Sequence, residues 1–157
     1  MADRKSISHF WGVFMIIMSV DYGDKRTGIA VCDKLEMLAS PVCVITEWNQ
    51  NALAQKIVGV AKEKKAEQIV IGLPKNMDGS KGFRADACEE LGSVLKALTD
   101  IPVVFWDERL TTVSAHRILS DNNIRGKKRK NVVDAVAADI ILQDYIDSRK
   151  NRGHLNV

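Results

Sequence analysis

The period of the apolar residues first changes along this chain at Trp48, and that change limits the fold more than any other feature. Before it lie three short apolar runs, Met15 to Asp21, Thr27 to Cys32 and Met37 to Thr46, separated by the turn residues Gly23-Asp24-Lys25 and Asp33-Lys34. Runs of that length joined by tight turns read as an antiparallel meander, and Pro41 sends the third to an edge or a bulge because it lacks an N–H for a ladder. After Trp48, Leu53, Ile57, Val60 and Ala61 recur at helical spacing. Strands and helices then alternate: a buried strand Gln68 to Leu73, a helix Lys81 to Leu98, a strand Ile101 to Trp106, a short helix Thr112 to Ser120 and a last helix Val132 to Ile146. The expected fold is α/β, a mixed five-stranded sheet of three antiparallel strands followed by strand–helix alternation, with helices packed on it.

A chain of 157 residues that is 46% hydrophobic buries an adequate core as one domain. We assign that domain to residues 15–150, with 1–14 an N-terminal extension and 151–157 a C-terminal tail. Phe10 to Val20 follows Arg4 and Lys5 in the manner of a secretory leader. The run is too short to span a bilayer, and Ser19-Val20-Asp21-Tyr22 supplies no small-x-small cleavage site, so the expectation is a cytoplasmic protein with no membrane partner. Cys32, Cys43 and Cys88 are odd in number and widely spaced, as core thiols in a reducing compartment are. His9, His116 and His154 lack ligand spacing, which argues against a histidine-based zinc site. The net charge of +3 permits an anionic partner without requiring one.

Acids on three elements stand out by position. Asp21 closes the first apolar strand, where Asp and Gly are also ordinary turn residues. In "VVFWDERLTT", Asp107 and Glu108 close another strand, and parallel strands deliver their C-terminal ends to one sheet edge; the plainer reading is a solvated loop paired with Arg109. On the last helix, Asp139, Gln143, Asp147 and Lys150 form a polar face, whereas Asp134 points with Ala137, Ala138, Ile141 and Tyr145. A carboxylate turned toward a core is costly unless paired or metal-bound, although an acid in a first helical turn also answers the free N–H groups there. Three carboxylates from three elements suit Mg²⁺ or Mn²⁺ and phosphodiester hydrolysis.

Further segments suit an anionic substrate. "GLPKNMDGS" carries Gly72, Asp78, Gly79 and Ser80 ahead of a helix and is a candidate phosphate loop, or else a turn with Ser80 as a helix cap. "NIRGKKRKN" concentrates Arg125, Lys127, Lys128, Arg129 and Lys130 just before Asp134, a basic loop placed to hold a phosphate backbone. Arg26 and Arg109 flank the acids and are candidates for the same contact.

The segments "DYGDKRTGIAVCD", "IGLPKNMDGS", "DERLTT" and "VDAVAADIILQDYI", in that order, resemble the YqgF/RuvX family across nearly all of Met15 to Ile146. These are Holliday-junction-resolvase-like proteins of the RNase H-like superfamily, assigned as nucleases of the small-subunit ribosomal RNA precursor. The resemblance implies an RNase H-like fold with Asp21, Glu108 and Asp134 as catalytic, metal-binding acids, and Asp107 as a fourth or supporting group. The strand ending Gly72-Leu73-Pro74 carries no acid, so the second carboxylate comes from the next strand, and both Asp107 and Glu108 are open to that role. The implied function is a metal-dependent nuclease acting on structured RNA, in maturation of pre-16S ribosomal RNA. Its partners would be nucleic acid and ribosomal precursor particles, and its state monomer or homodimer. The alternatives are a dimeric Holliday-junction resolvase acting on DNA, or a non-catalytic nucleic-acid-binding or transcription-associated module. The Asp-x-Gly opening also resembles the phosphate loop of actin-like ATPases and sugar kinases, which close two lobes on ATP where this chain supplies one.

Overall fold

The computed structural model describes residues 14–76, 78–110 and 127–155, and within the last helix the side chains from 135 to 152. The elements in order are β1 (Ile17–Asp21), β2 (Arg26–Cys32), β3 (Ala39–Thr46), α1 (Gln50–Glu63), β4 (Gln68–Leu73), α2 (Phe83–Leu98), β5 (Val103–Asp107), a 3₁₀ turn (Glu108–Leu110) and α3 (Lys127–Leu155). The five strands lie in the order β3-β2-β1-β4-β5. β1 to β3 pair antiparallel, whereas β4 runs parallel to both β1 and β5. This is the mixed sheet that the change of period at Trp48 requires.

The strands bury alternate residues on opposite faces, the consequence of a two-residue side-chain period. Met18, Val20, Ile69 and Ile71 join Leu53, Ile57, Leu91 and Leu95 in the core beneath α1 and α2. Ile17, Ala30, Val70 and Trp106 join Ala138, Ile141, Leu142 and Ile146 beneath α3. Ser19 faces α3 as well, and its hydroxyl donates to the Ala138 carbonyl at 2.6 Å, so this buried polar group is satisfied by the helix that covers it. Pro41 sits on the edge strand beside the register shift between Ile29 and Ala30, where a missing N–H costs little.

α3 is aligned by its polar contacts. Ala138 lies over Ser19, Gln143 accepts from the Ala39 amide at 2.9 Å, the Tyr145 hydroxyl donates to Gln68 at 2.9 Å, and the Arg149 guanidinium donates to Glu36 at 2.8 Å. The helix therefore starts at the edge where β1 ends and finishes at the edge where β1 begins. There the buried Glu36 carboxylate, in the β2–β3 hairpin, also accepts from the Met15 amide at 3.0 Å.

Several boundaries differ from those expected. α3 begins at Lys127 and reaches Leu155, longer at both ends than Val132 to Ile146, because apolar periodicity marks only the part of a helix that packs. Lys127 to Lys130 are consequently helical backbone, not loop, and most of the expected tail from 151 continues the helix. α2 begins at Phe83, not Lys81, because Lys75 and Lys81 form a β-bridge that keeps the chain extended. The short helix Thr112 to Ser120, Arg125 and residues 1–13 of the extension lie outside the described residues.

One position in α1 departs from helical preference without any packing reason. A methyl group on Gly59 would meet nothing within 4 Å. Gly59→Ala is expected to stabilise the protein by about 0.5–1 kcal/mol in urea unfolding, with the m-value unchanged, because it restricts the unfolded backbone at no steric cost.

Candidate active site

Strand register brings the C-terminal ends of β1, β4 and β5 to one edge. Val20 lies opposite Ile71, and Leu73 opposite Asp107. Asp21, the last residue of β1, and Glu108, the first after β5, therefore flank the end of β4. β4 ends in Gly72 and Leu73, and the glycine makes room for the acid. A Cβ on Gly72 would stand 2.5 Å from a Glu108 carboxylate oxygen and 2.8 Å from Ile141 Cδ1. The Glu108 carboxylate thus occupies the volume that any other residue at 72 would fill. Gly72 is an interior strand residue, opposite Trp106, and its missing side chain is what admits the Glu108 carboxylate.

Burial pushes the Glu108 carboxyl above its ordinary range; the Arg84 guanidinium opposes that shift and the Asp107 charge adds to it. Cys88, buried one turn along α2 from Arg84, reports the same field. Its thiol is pushed up to about 12 by burial first, then by Glu108, with Arg84 opposing and Asp21 adding. Asp21, Arg84, Cys88 and Glu108 therefore form one neighbourhood. Arg84 is fixed there by its guanidinium, which donates to the Tyr22 carbonyl at 3.4 Å, one residue past Asp21. No spacing rule singles out Arg84 in the sequence, because an arginine in an amphipathic helix reads as ordinary surface charge.

Asp107 is differently engaged. Its carboxylate accepts from the Arg109 backbone amide at 3.0 Å and from the guanidinium at 2.6–3.1 Å, and that hydrogen bonding holds it below the usual carboxylate range despite some desolvation. Of the two acids in Asp-Glu-Arg, Glu108 faces the sheet edge and Asp107 is bound to its neighbour. Arg109 is committed to Asp107 accordingly. Arg26, the first residue of β2, stands opposite Thr46 at this same edge.

The backbone of α3 carries Asp134 to the edge as well. Ala138 is bonded to Ser19, and Asp134 lies one helical turn, about 6 Å, before Ala138. Asp21 lies two strand residues, also about 6–7 Å, beyond Ser19. The position of Asp134 along α3 thus matches that of Asp21 along β1; its side chain, with those of Lys127, Lys128, Arg129 and Lys130, lies outside the described residues. Among the described residues no group of three acids, histidines or cysteines converges for a metal. Asp139, expected on the solvated face, is partly enclosed beside Ala138 and Leu142; burial raises its carboxyl, and one carboxylate oxygen has no hydrogen-bond partner among the described residues.

The Asp78-Gly79-Ser80 segment closes on itself. Asp78 accepts from the Ser80 amide at 2.8 Å and its hydroxyl at 2.6 Å, and the Gly79 amide donates to the Asn76 carbonyl at 2.8 Å. The Gly79 and Ser80 amides are thus engaged within the turn, and Ser80 caps no helix, since Gly82 precedes α2. Gly79 supplies the φ of +89° that this turn needs.

The sign of the Glu108 shift yields a prediction. A carboxyl whose folded-state value is raised costs the folded protein nothing below its unfolded value; the full penalty applies above the folded one. Glu108→Gln should therefore raise the melting temperature of the metal-free protein by a few degrees at pH 7–8, the effect of about 1 kcal/mol, and leave it unchanged near pH 3. Thermal scans across that range check it.

An antiparallel meander continued by parallel strands is an RNase H-like arrangement of the sheet. Solved structures agree on the fold: "T. thermophilus RuvC in complex with Holliday junction substrate" superposes with a TM-score of 0.53 at 11% identity over 87% of this chain and 97% of that one. The fowlpox virus Holliday junction resolvase does so with a TM-score of 0.52 at 16% identity over 85% and 99%. The RuvX family, described as "Holliday junction resolvase", matches residues 15–148, and the chain belongs to it. Relatives named "Putative pre-16S rRNA nuclease" include that of Halothermothrix orenii, 45% identical over 85% of this chain and 95% of its own. The Lachnospira eligens protein of that name is 41% identical over 87% and 99%.

Proposed function

We propose that this protein is a divalent-metal-dependent nuclease that hydrolyses phosphodiester bonds of structured RNA in the maturation of pre-16S ribosomal RNA. The observation that carries the reading is the meeting of β1, β5 and the start of α3 at one edge, which gathers Asp21, Glu108 and the Asp134 backbone from distant parts of the chain. The donor set fits Mg²⁺ or Mn²⁺: carboxylate oxygens, one of them desolvated and seated in the space that glycine at 72 leaves open. Such an ion supplies Lewis-acid stabilisation of the charge that builds on the reacting phosphate. Asp21, Glu108 and Asp134 would hold it and orient the phosphate for in-line attack, and Arg84 offsets the mutual repulsion of the acids before substrate arrives. Lys127, Lys128, Arg129 and Lys130 hold the phosphate backbone from the first turns of α3. The ribosomal substrate follows the names of the relatives. No described helix is long and apolar enough to cross a membrane, and we assign the activity to the cytoplasm, where the free thiols Cys32, Cys43 and Cys88 are stable.

Incubation with Mg²⁺ or Mn²⁺ and, side by side, precursor 16S RNA, a four-way DNA junction and a linear duplex tests the reading. Cleavage of the precursor, abolished by EDTA, is expected. Cleavage of the junction alone would transfer the activity to branched DNA, and no cleavage of any substrate would leave a binding module. Replacing Lys127, Lys128, Arg129 and Lys130 together by Gln should lower the slope of log affinity against log salt by about 3 and leave the melting temperature nearly unchanged. An unchanged slope would assign the run to inert surface.

A further inference from the structure

The β3–α1 and β4–α2 connections both open on the edge that carries the acids, and each presents a large aromatic side chain to water. Trp48 is 68% exposed and Phe83 86% exposed. The two belong to one rim. The Gln50 side chain donates to the Ala87 carbonyl at 3.3 Å, which ties the start of α1, two residues after Trp48, to the second turn of α2, about 6 Å beyond Phe83. Phe83 is followed by Arg84, which is bonded to Tyr22 beside Asp21. The Lys25 ammonium lies 4.8 Å from the Trp48 ring centroid.

Exposed aromatic rings beside cations are the chemistry that binds unpaired nucleotides: bases stack on the rings while the cations meet the phosphates. A duplex offers no free base faces and gains nothing from such a rim. Glu47, the acid next to Trp48, is already engaged, its carboxylate accepting from Lys56 at 3.1 Å and from the Trp48 amide at 3.0 Å. A core role does not account for either ring at these exposures.

We propose that Trp48 and Phe83, with Lys25 and Arg84, form a stacking rim that holds a single-stranded segment of the nucleic acid beside the acids, so that the substrate presents unpaired nucleotides at the point of cleavage. The proposal rests on the nuclease reading and names the substrate class of that same site.

The test uses the full chain in EDTA, which prevents cleavage, with an end-labelled 12-nucleotide RNA single strand and the blunt duplex of the same sequence, read by fluorescence anisotropy. Trp48→Ala and Phe83→Ala should each weaken binding of the single strand by about 5-fold or more, leave duplex affinity and the melting temperature unchanged, and leave the salt slope intact because no cation is lost. Trp48→Phe should restore most of the affinity. Lys25→Gln should instead lower the single-strand salt slope by about 0.7. Equal affinities of parent and alanine variants, or equal losses on single strand and duplex, would overturn the rim and leave the nuclease reading standing. Failure of the parent to bind either nucleic acid would overturn both.

Discussion

Asp21→Asn and Asp134→Asn should each lower metal-dependent cleavage by about 10³-fold or more, the scale on which loss of a group that stabilises transition-state charge is felt, without loss of folded protein. The amide keeps the shape of the carboxylate and removes its charge. Mn²⁺ should raise the melting temperature of the parent by binding the folded state, and raise it less in either variant. Turn and helix-cap roles predict the opposite, because Asn serves well in both, and activity would survive. Sustained cleavage by both variants would remove the carboxylates from the mechanism. Folded, inactive proteins with a blunted metal response would place them in it.

Gly72→Ala should reduce cleavage by about 10²-fold at a stability cost of about 1–3 kcal/mol. The new methyl would stand 2.5 Å from the Glu108 carboxylate and 2.8 Å from Ile141. Both are the ends of flexible side chains, so the fold survives by moving them, and the moved group is the acid itself. A displacement near 1 Å in a positioned catalytic group has that order of effect on rate, and overpacking a formed core has that cost. Single-turnover cleavage and urea unfolding on the same preparation separate the two effects. Wild-type rates in Gly72→Ala would mean that the Glu108 position seen here is irrelevant to turnover.

What the sequence made legible follows from what periodicity measures. β4 was read to the residue, because an uninterrupted apolar run bounded by polar residues and proline has one interpretation. The ends of α3 were not, since Lys127 to Asn131 and Asp147 to Leu155 continue the helix beyond the apolar stretch that marks it in the sequence. The face of α3 that carries Asp139 reads as solvated only if the buried stripe beside it is narrow. The stripe through Ala138, Ile141, Leu142 and Ile146 is wide enough to enclose its flank. Asp21 and Glu108 were visible as acids ending apolar strands. Arg84, Trp48 and Phe83 were not, because each is an ordinary residue at the start or approach of a helix until tertiary contacts bring α1, α2 and β1 together. The glycine at 72 falls both near the end of a strand and at the start of a candidate phosphate loop, and only its distance to Glu108 reveals that its value lies in an absent side chain.

The bond between Ser19 and Ala138 spans 119 positions of chain, and it fastens the last helix to the first strand. During synthesis every strand of the sheet leaves the ribosome before α3 does, and until that helix docks, Ile17, Val70 and Trp106 lack the cover that α3 gives them. Docking has to wait until α3 has been made, and contacts of such separation form slowly. A chain interrupted before α3 lacks both the cover of its sheet and the third acid of the proposed site. A copy that stops short of α3 is therefore unstable and harmless for one reason, and on the proposed reading cutting begins only once α3 has docked.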